Sequence, residues 1–131
     1  MSGTDGISDF LADAILGILA DTVPTAYENI FWQVHTGSPG AAGTENIAAG
    51  TTTRESSTVA TPASGATTLA NTPSFTNTGD VTETLTDVSA WSALTGGTFL
   101  FSILCVEGVA WTNGQTVQLS VDLAMGPLAS G

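Results

Sequence analysis

Residues 98–123 read TFLFSILCVEGVAWTNGQTVQLSVDL, and this stretch decides the fold class. Its first part, residues 98–106, is apolar at both alternating sets of positions, which predicts a central β-strand buried on both faces. Its last part, residues 115–123, alternates strictly between apolar and polar side chains, which predicts a half-buried strand. Between them stands Asn113-Gly114, a strong signal for a hairpin turn. The stretch therefore predicts antiparallel β-structure.

Shorter strand patterns precede this stretch, each bounded by turn residues. In the strand predicted at residues 81–91, a frame shift between Leu85 and Val88 predicts a β-bulge. The Thr- and Ser-rich segment 51–61 is typical of an edge or surface strand. Further strands are predicted at residues 27–35, 66–70 and 74–77. Turn signals roughly every ten residues favour an antiparallel β-sandwich or barrel.

The N-terminal part of the chain has a different pattern. Residues 7–20 carry apolar side chains at steps of three and four, which predicts an α-helix, and Pro24 ends that pattern. A length of 131 residues suits one domain rather than two. We therefore predict a single, mainly β domain over residues 1–131. It comprises one N-terminal helix at 7–20, a sandwich at 27–123 and an irregular tail at 124–131.

The charge balance is strongly one-sided. Twelve acidic residues face a single basic residue, Arg54, and the formal net charge is −11. A nucleic-acid partner is disfavoured, because binding to phosphates normally needs several Lys and Arg side chains. An anionic membrane surface is disfavoured for the same reason. The hydrophobic fraction of 42% and the mean hydropathy of +0.28 favour a folded domain over a disordered acidic tail.

The sequence contains no strong signal for a metal, a cofactor or a disulfide. Cys105 is the single cysteine and lies in the most apolar segment, which is typical of an inert core thiol. Asp5, Asp9 and Asp13 recur every four residues, and such a row is more typical of a solvated helix face than of a cation site. The glycine-rich segment 36–43 lacks the Lys-Ser/Thr pair of a phosphate-binding loop. We therefore expect no metal site and no cofactor.

His35 is the single histidine, and it lies where a predicted strand meets the glycine-rich segment. We expect its side chain to bond to the backbone of that segment. The competing hypothesis is a catalytic histidine, which would need a nucleophile and a carboxylate within hydrogen-bond reach. Serines and threonines are too abundant in this chain to mark a nucleophile. We therefore predict no catalytic residues and no enzymatic activity.

The three tryptophans allow two interpretations. Trp32, Trp91 and Trp111 lie in predicted strands or at their ends, where core and interface positions are common. Aromatic rings at a surface can also stack on sugars, so a carbohydrate-binding face is the second hypothesis.

Arg54 also allows two interpretations. It can form an ion pair with an acidic residue of this chain, for which the candidates are Glu55, Asp87 and Glu107. Alternatively, it can anchor the chain to an acidic surface of a partner or of a neighbouring copy.

Three segments resemble a family of small virion proteins encoded by tailed bacteriophages, particularly those that infect actinobacteria. They are VHTGSPGAAGTEN at residues 34–46, VSAWSALTGGTFL at residues 88–100 and NGQTVQLSVDL at residues 113–123. The N-terminal helix followed by an aromatic strand also fits the family. The resemblance implies a structural component of the virion without catalytic residues. Members include minor capsid, decoration, tail and tail-fibre proteins.

Among these roles we expect a capsid decoration, or minor capsid, protein. It would be made in the host cytoplasm and would bind the major capsid protein on the outer surface of the shell. Binding to copies of itself, as a trimer, would fit local threefold positions. The alternative is a tail or tail-fibre component that contacts a host-surface glycan. The predicted partner-contact residues are Phe10, Leu11, Phe31, Trp32, Arg54 and Trp111.

Overall fold

A computed structural model of the chain describes residues 7–20 and 29–124. The beginning of the strand predicted at 27–35 and nearly all of the tail predicted at 124–131 lie outside the described residues. One helix and eight strands fall within them: α1 (Asp9–Leu19), β1 (Ile30–His35), β2 (Glu55–Ser57), β3 (Ala66–Thr68), β4 (Ser74–Thr76), β5 (Glu83–Trp91), β6 (Phe99–Trp111), β7 (Thr116–Gln118) and β8 (Asp122–Ala124). The predicted class, mainly β with an N-terminal helix, is confirmed.

The strands form one four-stranded sheet and two two-stranded ribbons. The sheet has the order β2-β1-β5-β6, and the ribbons are the pairs β3-β8 and β4-β7. All of these pairings are antiparallel. The four-stranded sheet is open, with β2 and β6 at its edges, so the sandwich alternative describes this fold and the closed barrel does not.

One face of the sheet is apolar. Cross-strand register places Trp32, Ala90 and Phe101 in one row, and a second row runs through Val34, Val88 and Ile103. Side chains from the ribbons and their connections, among them Phe75, Val117, Leu119 and Val121, join the same core cluster. Each large side chain buried in this layer stabilises the fold by about 1.5–3 kcal/mol relative to exposure.

The other face of the sheet is polar but equally covered. Its rows include Gln33 with Ser89 and Ser102, and His35 with Asp87. The glycine-rich segment packs over this side, since a Cβ at Gly43 would lie 2.5 Å from the Phe99 ring. Both faces of β1 and β5 are therefore buried, which makes these two strands the centre of the sheet.

The prediction that residues 98–106 form a central strand is wrong. β6 contains residues 99–106 but lies at the edge of the four-stranded sheet. Its outer side is met by the chain before α1, where Ile7 bridges Phe101 and the Ser8 amide donates to the Leu100 carbonyl at 2.7 Å. This cover and the two covered faces of the sheet explain the unbroken apolar pattern. The cover is incomplete at Leu104, which is 63% exposed.

The Asn113-Gly114 turn forms, but it does not make a hairpin of paired strands. The Gln115 amide donates to the Thr112 carbonyl at 3.0 Å, and Gly114 has a φ of 82°. The strands on either side pair elsewhere, β6 with β5 and β7 with β4. The turn pairs instead with the backbone of Asn77. The Asn77 backbone N–H donates to the Gln115 carbonyl at 3.0 Å, and the Asn77 backbone carbonyl accepts from the Gly114 N–H at 2.7 Å. The turn thus moves the chain from the sheet to a ribbon.

The bulge predicted between Leu85 and Val88 is confirmed, since the β5–β6 register shifts between Leu85 and Asp87. The strand predicted at 115–123 is interrupted and forms β7 and β8, which pair with different strands. Its alternation in burial persists, because Val117, Leu119 and Val121 are less exposed than the polar side chains between them. The segment predicted at 51–61 contains the edge strand β2, as expected.

The helix predicted at 7–20 forms over Asp9–Leu19. Ser8 caps it, because its Oγ accepts a hydrogen bond from the Leu11 amide at 3.2 Å. The helix contacts β6, and Leu11 packs against the core. Several apolar side chains in and beside the helix remain exposed, with Phe10 at 51%, Leu16 at 60% and Leu19 at 86%.

Candidate functional site

The side chain of Arg54 joins three parts of the fold on the polar side of the sheet. Arg54 precedes the edge strand β2, and its Cζ lies 3.9 Å from the centre of the Trp91 ring on β5. Trp91 stands in a cross-strand row between Phe31 and Phe99, both half-buried. The contact is a cation–π interaction, worth about 0.5–2 kcal/mol according to its degree of desolvation. It holds the guanidinium against the Trp91 ring.

The same guanidinium holds the turn that connects β5 to β6. Arg54 Nη1 donates to the Ala93 carbonyl at 2.8 Å and to the Gly96 carbonyl at 2.7 Å. The turn is closed by the Ser92 amide, which donates to the Thr98 carbonyl at 3.0 Å. Gly97 has a φ of 72°, and a Cβ there would lie 2.8 Å from the Ala93 Cβ. A glycine is therefore required where the turn passes under the arginine.

The described contacts of Arg54 do not include the predicted ion pair with Glu55, Asp87 or Glu107. Within residues 7–20 and 29–124 its guanidinium bonds to two carbonyls and stacks on a ring. Desolvation by burial lowers the pKa of Arg54 from its ordinary value. The group remains charged at neutral pH, because that ordinary value lies far above neutrality.

His35 contacts the backbone at Glu45, two residues beyond the glycine-rich segment 36–43 for which the bond was predicted. It is fully buried, and its Nδ1 lies 2.8 Å from the Glu45 carbonyl. A carbonyl only accepts, so Nδ1 carries the proton and Nε2 accepts from the Ser89 hydroxyl at 2.7 Å. Ser89 Oγ in turn accepts from Trp91 Nε1 at 2.8 Å. A chain of hydrogen bonds thus connects the Glu45 carbonyl, just after the glycine-rich segment, to the Arg54–Trp91 contact.

The Ser89–His35 pair has a nucleophile and a base in contact, but its position is unsuited to catalysis. Both residues are 0% exposed, so a substrate carbonyl cannot reach Ser89 Oγ. His35 Nδ1 is held by a backbone carbonyl, and Ser89 Oγ is shared with Trp91. The geometry is that of a structural network.

The tryptophans do not form a surface for stacking sugars. Trp32 and Trp111 are 0% exposed, and Trp91 is 5% exposed with Arg54 over its ring. Trp32 packs edge-on against Phe101, and Trp111 Nε1 donates to the Phe75 carbonyl at 3.2 Å. The hypothesis of a tryptophan carbohydrate face is therefore wrong for this chain. For the same reason neither Trp32 nor Trp111 offers side-chain surface to a partner.

The remaining predicted contact residues fall into two groups. Phe31 and Arg54 lie together around Trp91. Phe10 and Leu11 lie on α1, which contacts β6, the strand farthest from β2 in the sheet order. Phe10 is 51% exposed, whereas Leu11 is half-buried against the core. The structure therefore does not join the six predicted residues into one surface.

Sequence reasoning missed Trp91 as the partner of Arg54. It also missed the turn at 92–98, whose carbonyls hold the guanidinium. The pair of glycines at Gly96-Gly97 was the local signal for a turn. Nothing local connects that turn to Arg54, because the contact depends on the pairing of distant strands.

Cys105 is half-buried, and it packs against the core cluster. It lines a small apolar cavity of about 80 Å³, together with Val34, Leu85 and Val109 among others. In the part of the chain that the structure describes, no group of three His, Cys, Asp or Glu side chains is arranged to hold a metal ion. Over the same residues, no helix has the length and hydropathy of a membrane span.

The model of a protein family described as podophage GP4 fiber I protein gp80 matches residues 6–122. The match covers the helix, the four-stranded sheet and the Arg54 site. No curated protein matches the chain.

Proposed function

The chain belongs to the podophage GP4 fiber I protein gp80 family, and on that basis we propose that it is a structural subunit of a phage tail fibre. The family is one of phage fibre proteins, so the chain is a virion structural protein. The observation that carries the finer proposal is the family match over residues 6–122. A narrower origin in phages of actinobacteria, suggested by the resemblance of three segments, stays a prediction.

The physical character of the chain supports a role in assembly. Its sheet is covered on both faces, and its loops are tied down by buried networks such as the one around His35. The one Ser–His contact described is closed to substrates, which supports a protein that acts through its surfaces. We therefore propose a role that involves no enzymatic activity, no cofactor and no metal.

The proposed partners are copies of this chain, as a trimer, and neighbouring virion proteins. The net charge of −11 supports proteins rather than nucleic acid or an anionic membrane as partners. A host-surface glycan is a further candidate partner of a fibre. Such a glycan would have to use side chains other than the three tryptophans, which are buried.

Capsid decoration is the competing role, in which the chain would bind the major capsid protein on the outer shell. The fibre description of the family favours the tail over the shell. A small acidic β-domain suits either place, so the position in the virion requires a measurement.

The deciding experiment is quantitative mass spectrometry of purified virions, with the major capsid protein as the internal standard. A fibre subunit is expected at a small fraction of the capsid protein, and gold-labelled antibody should mark the tail. A copy number close to that of the capsid protein, with label over the head, would support decoration instead. Absence of the chain from purified particles would overturn the virion role.

A further inference from the structure

We propose that Arg54 is a docking point between copies of this chain, where its guanidinium receives a carboxylate side chain of a second copy on its Nε–Nη2 edge. The inference deepens the proposed function, because it names the surface and the chemistry by which fibre subunits would associate.

The N–H donors of the Arg54 guanidinium are only partly used within the described residues. Nη1 has two hydrogens, and the carbonyls of Ala93 and Gly96 use both. Within residues 7–20 and 29–124, Nε and Nη2 of Arg54 donate to no group. These two nitrogens form the edge that matches the two oxygens of a carboxylate in a bidentate pair.

The Nε–Nη2 edge of Arg54 is already held in place in the folded chain, before any partner binds. The Trp91 ring lies 3.9 Å from Arg54 Cζ, and the two Nη1 bonds to carbonyls of the turn restrict the rotation of the guanidinium. A free surface arginine loses much rotamer entropy when it binds. Arg54 has already lost that freedom in the folded chain, so binding a carboxylate costs less.

The positive charge of Arg54 also favours a carboxylate as its partner. Arg54 is the single basic residue beside twelve acidic residues, yet its described contacts contain no carboxylate. Desolvation by burial lowers the pKa of Arg54, and a carboxylate partner would favour its charged form. When two copies of so acidic a chain meet, Arg54 is the one side chain that can offset the repulsion between their carboxylates. A second copy also supplies those carboxylates at high local concentration.

The surroundings favour a protein carboxylate over an acidic sugar. Leu94 lies in the same turn as the two bonded carbonyls and is 51% exposed, so the turn that Arg54 holds also presents an apolar side chain. The ring that a sugar would use, that of Trp91, is buried under the guanidinium. An apolar side chain next to a preorganised arginine is typical of a protein–protein contact.

The first test uses the fact that the chain has only one arginine. Its Nε–Hε group gives a single side-chain signal of its kind in a ¹⁵N-correlated NMR spectrum. With rising protein concentration, we expect this signal to move downfield and to exchange more slowly with water. A signal that stays unchanged while sedimentation shows the chain associating would overturn the proposal. A signal that responds to added glucuronate but not to protein concentration would assign the edge to a sugar and would also overturn it.

The second test measures association directly by sedimentation equilibrium. We expect Arg54→Gln, and also Arg54→Lys, to weaken association about tenfold or more, because a lysine keeps the charge but lacks the bidentate edge. Thr95→Ala, at an exposed position in the same turn, is the matched control and should associate like the wild type. A wild-type chain that stays monomeric over the accessible concentration range, or an Arg54→Gln chain that associates like the wild type, would contradict the proposal.

Because Arg54 also holds its own turn, a partner-side series keeps the test valid if Arg54→Gln folds poorly. The carboxylates that are exposed within residues 7–20 and 29–124, and those of the acidic residues outside these ranges, Asp5, Asp21 and Glu28, are neutralised one at a time; the first set is Asp9, Asp13, Glu45, Asp80, Glu107 and Asp122. At least one of these variants should weaken association and remove the concentration dependence of the Arg54 signal while leaving the melting temperature of the monomer unchanged. If none does so, the proposal fails. The virion measurement is independent, since a chain found in the tail whose association ignores Arg54 would overturn this inference alone.

Discussion

Asn77 ties one ribbon to the end of the four-stranded sheet, because its Nδ2 donates to the Trp111 carbonyl at 2.9 Å. The same nitrogen donates to the Val81 carbonyl at 3.1 Å, and Oδ1 accepts from the Gly79 amide at 2.8 Å. Asn77 is 0% exposed. Its side chain therefore satisfies three backbone groups in a place that water does not reach.

Replacement of this side chain should be among the more damaging changes in the fold. We expect Asn77→Ala to lower the free energy of unfolding by about 2–4 kcal/mol, since it leaves several backbone groups unsatisfied. Urea denaturation measures the change. Gln118→Ala, at an exposed position on the neighbouring ribbon strand, should shift the free energy by less than about 0.5 kcal/mol. Equal losses in the two variants would show that the Asn77 bonds contribute little.

Gly50 should tolerate no side chain. A Cβ there would lie 2.5 Å from Asn77 Oδ1 and 2.6 Å from Trp111 Cζ3. We expect Gly50→Ala to cost about 1–3 kcal/mol through overpacking against these fully buried groups. The matched control is Gly79→Ala, where the nearest atom to the added Cβ is 3.4 Å away. If thermal unfolding places both variants at the same melting temperature, the tight approach at Gly50 does not exist.

The buried chain through His35 and Ser89 should act as a unit. We expect His35→Ala and Ser89→Ala to destabilise the protein by about 1–3 kcal/mol each, and the double variant by less than their sum. Hydrogen exchange should accelerate in residues 36–46 of His35→Ala, because the bond to the Glu45 carbonyl is lost. Strict additivity in the double-mutant cycle, or unchanged exchange in that segment, would contradict the coupling.

The edge position of β6 predicts that truncating two of its leucines, Leu100 and Leu104, changes the free energy of unfolding by very different amounts. Leu100 is 1% exposed and Leu104 is 63% exposed. We expect Leu100→Ala to cost about 2–5 kcal/mol, and Leu104→Ala to stay within about 0.5 kcal/mol of the wild type. Chemical denaturation distinguishes them. A large loss at Leu104 in the monomer would restore the prediction of a central strand buried on both faces.

The features that could be predicted from the sequence are those that depend on the pattern of residues close together in the chain. The frame shift between Leu85 and Val88 was visible because the side-chain period of a strand is two, and a bulge must break it. The helix at Asp9–Leu19 was visible for the same kind of reason, since its apolar side chains recur at helical steps.

The errors concern which strand pairs with which. An apolar run such as residues 98–106 shows that both faces are covered, but it does not show whether another strand lies alongside. Asn113-Gly114 marks a turn but does not identify the partner of the next strand. That partner depends on Asn77, which is distant in the sequence and whose backbone bonds to the turn. Arg54 could be singled out by its charge, whereas its contact with Trp91 depends on β5 entering the sheet beside β1. Tryptophan burial is likewise a property of the assembled layers.

The ribbon β3-β8 has a consequence for the order in which the chain folds. It pairs residues 66–68 with residues 122–124, which lie near the end of the described chain. During synthesis, β3 is made well before its partner β8 and can pair only after residues 122–124 have left the ribosome. Pairing over such a sequence separation closes a long loop, which slows folding. The sheet strands β1, β5 and β6 all precede β8 in the chain, so we expect the four-stranded sheet to pair before the β3-β8 ribbon does.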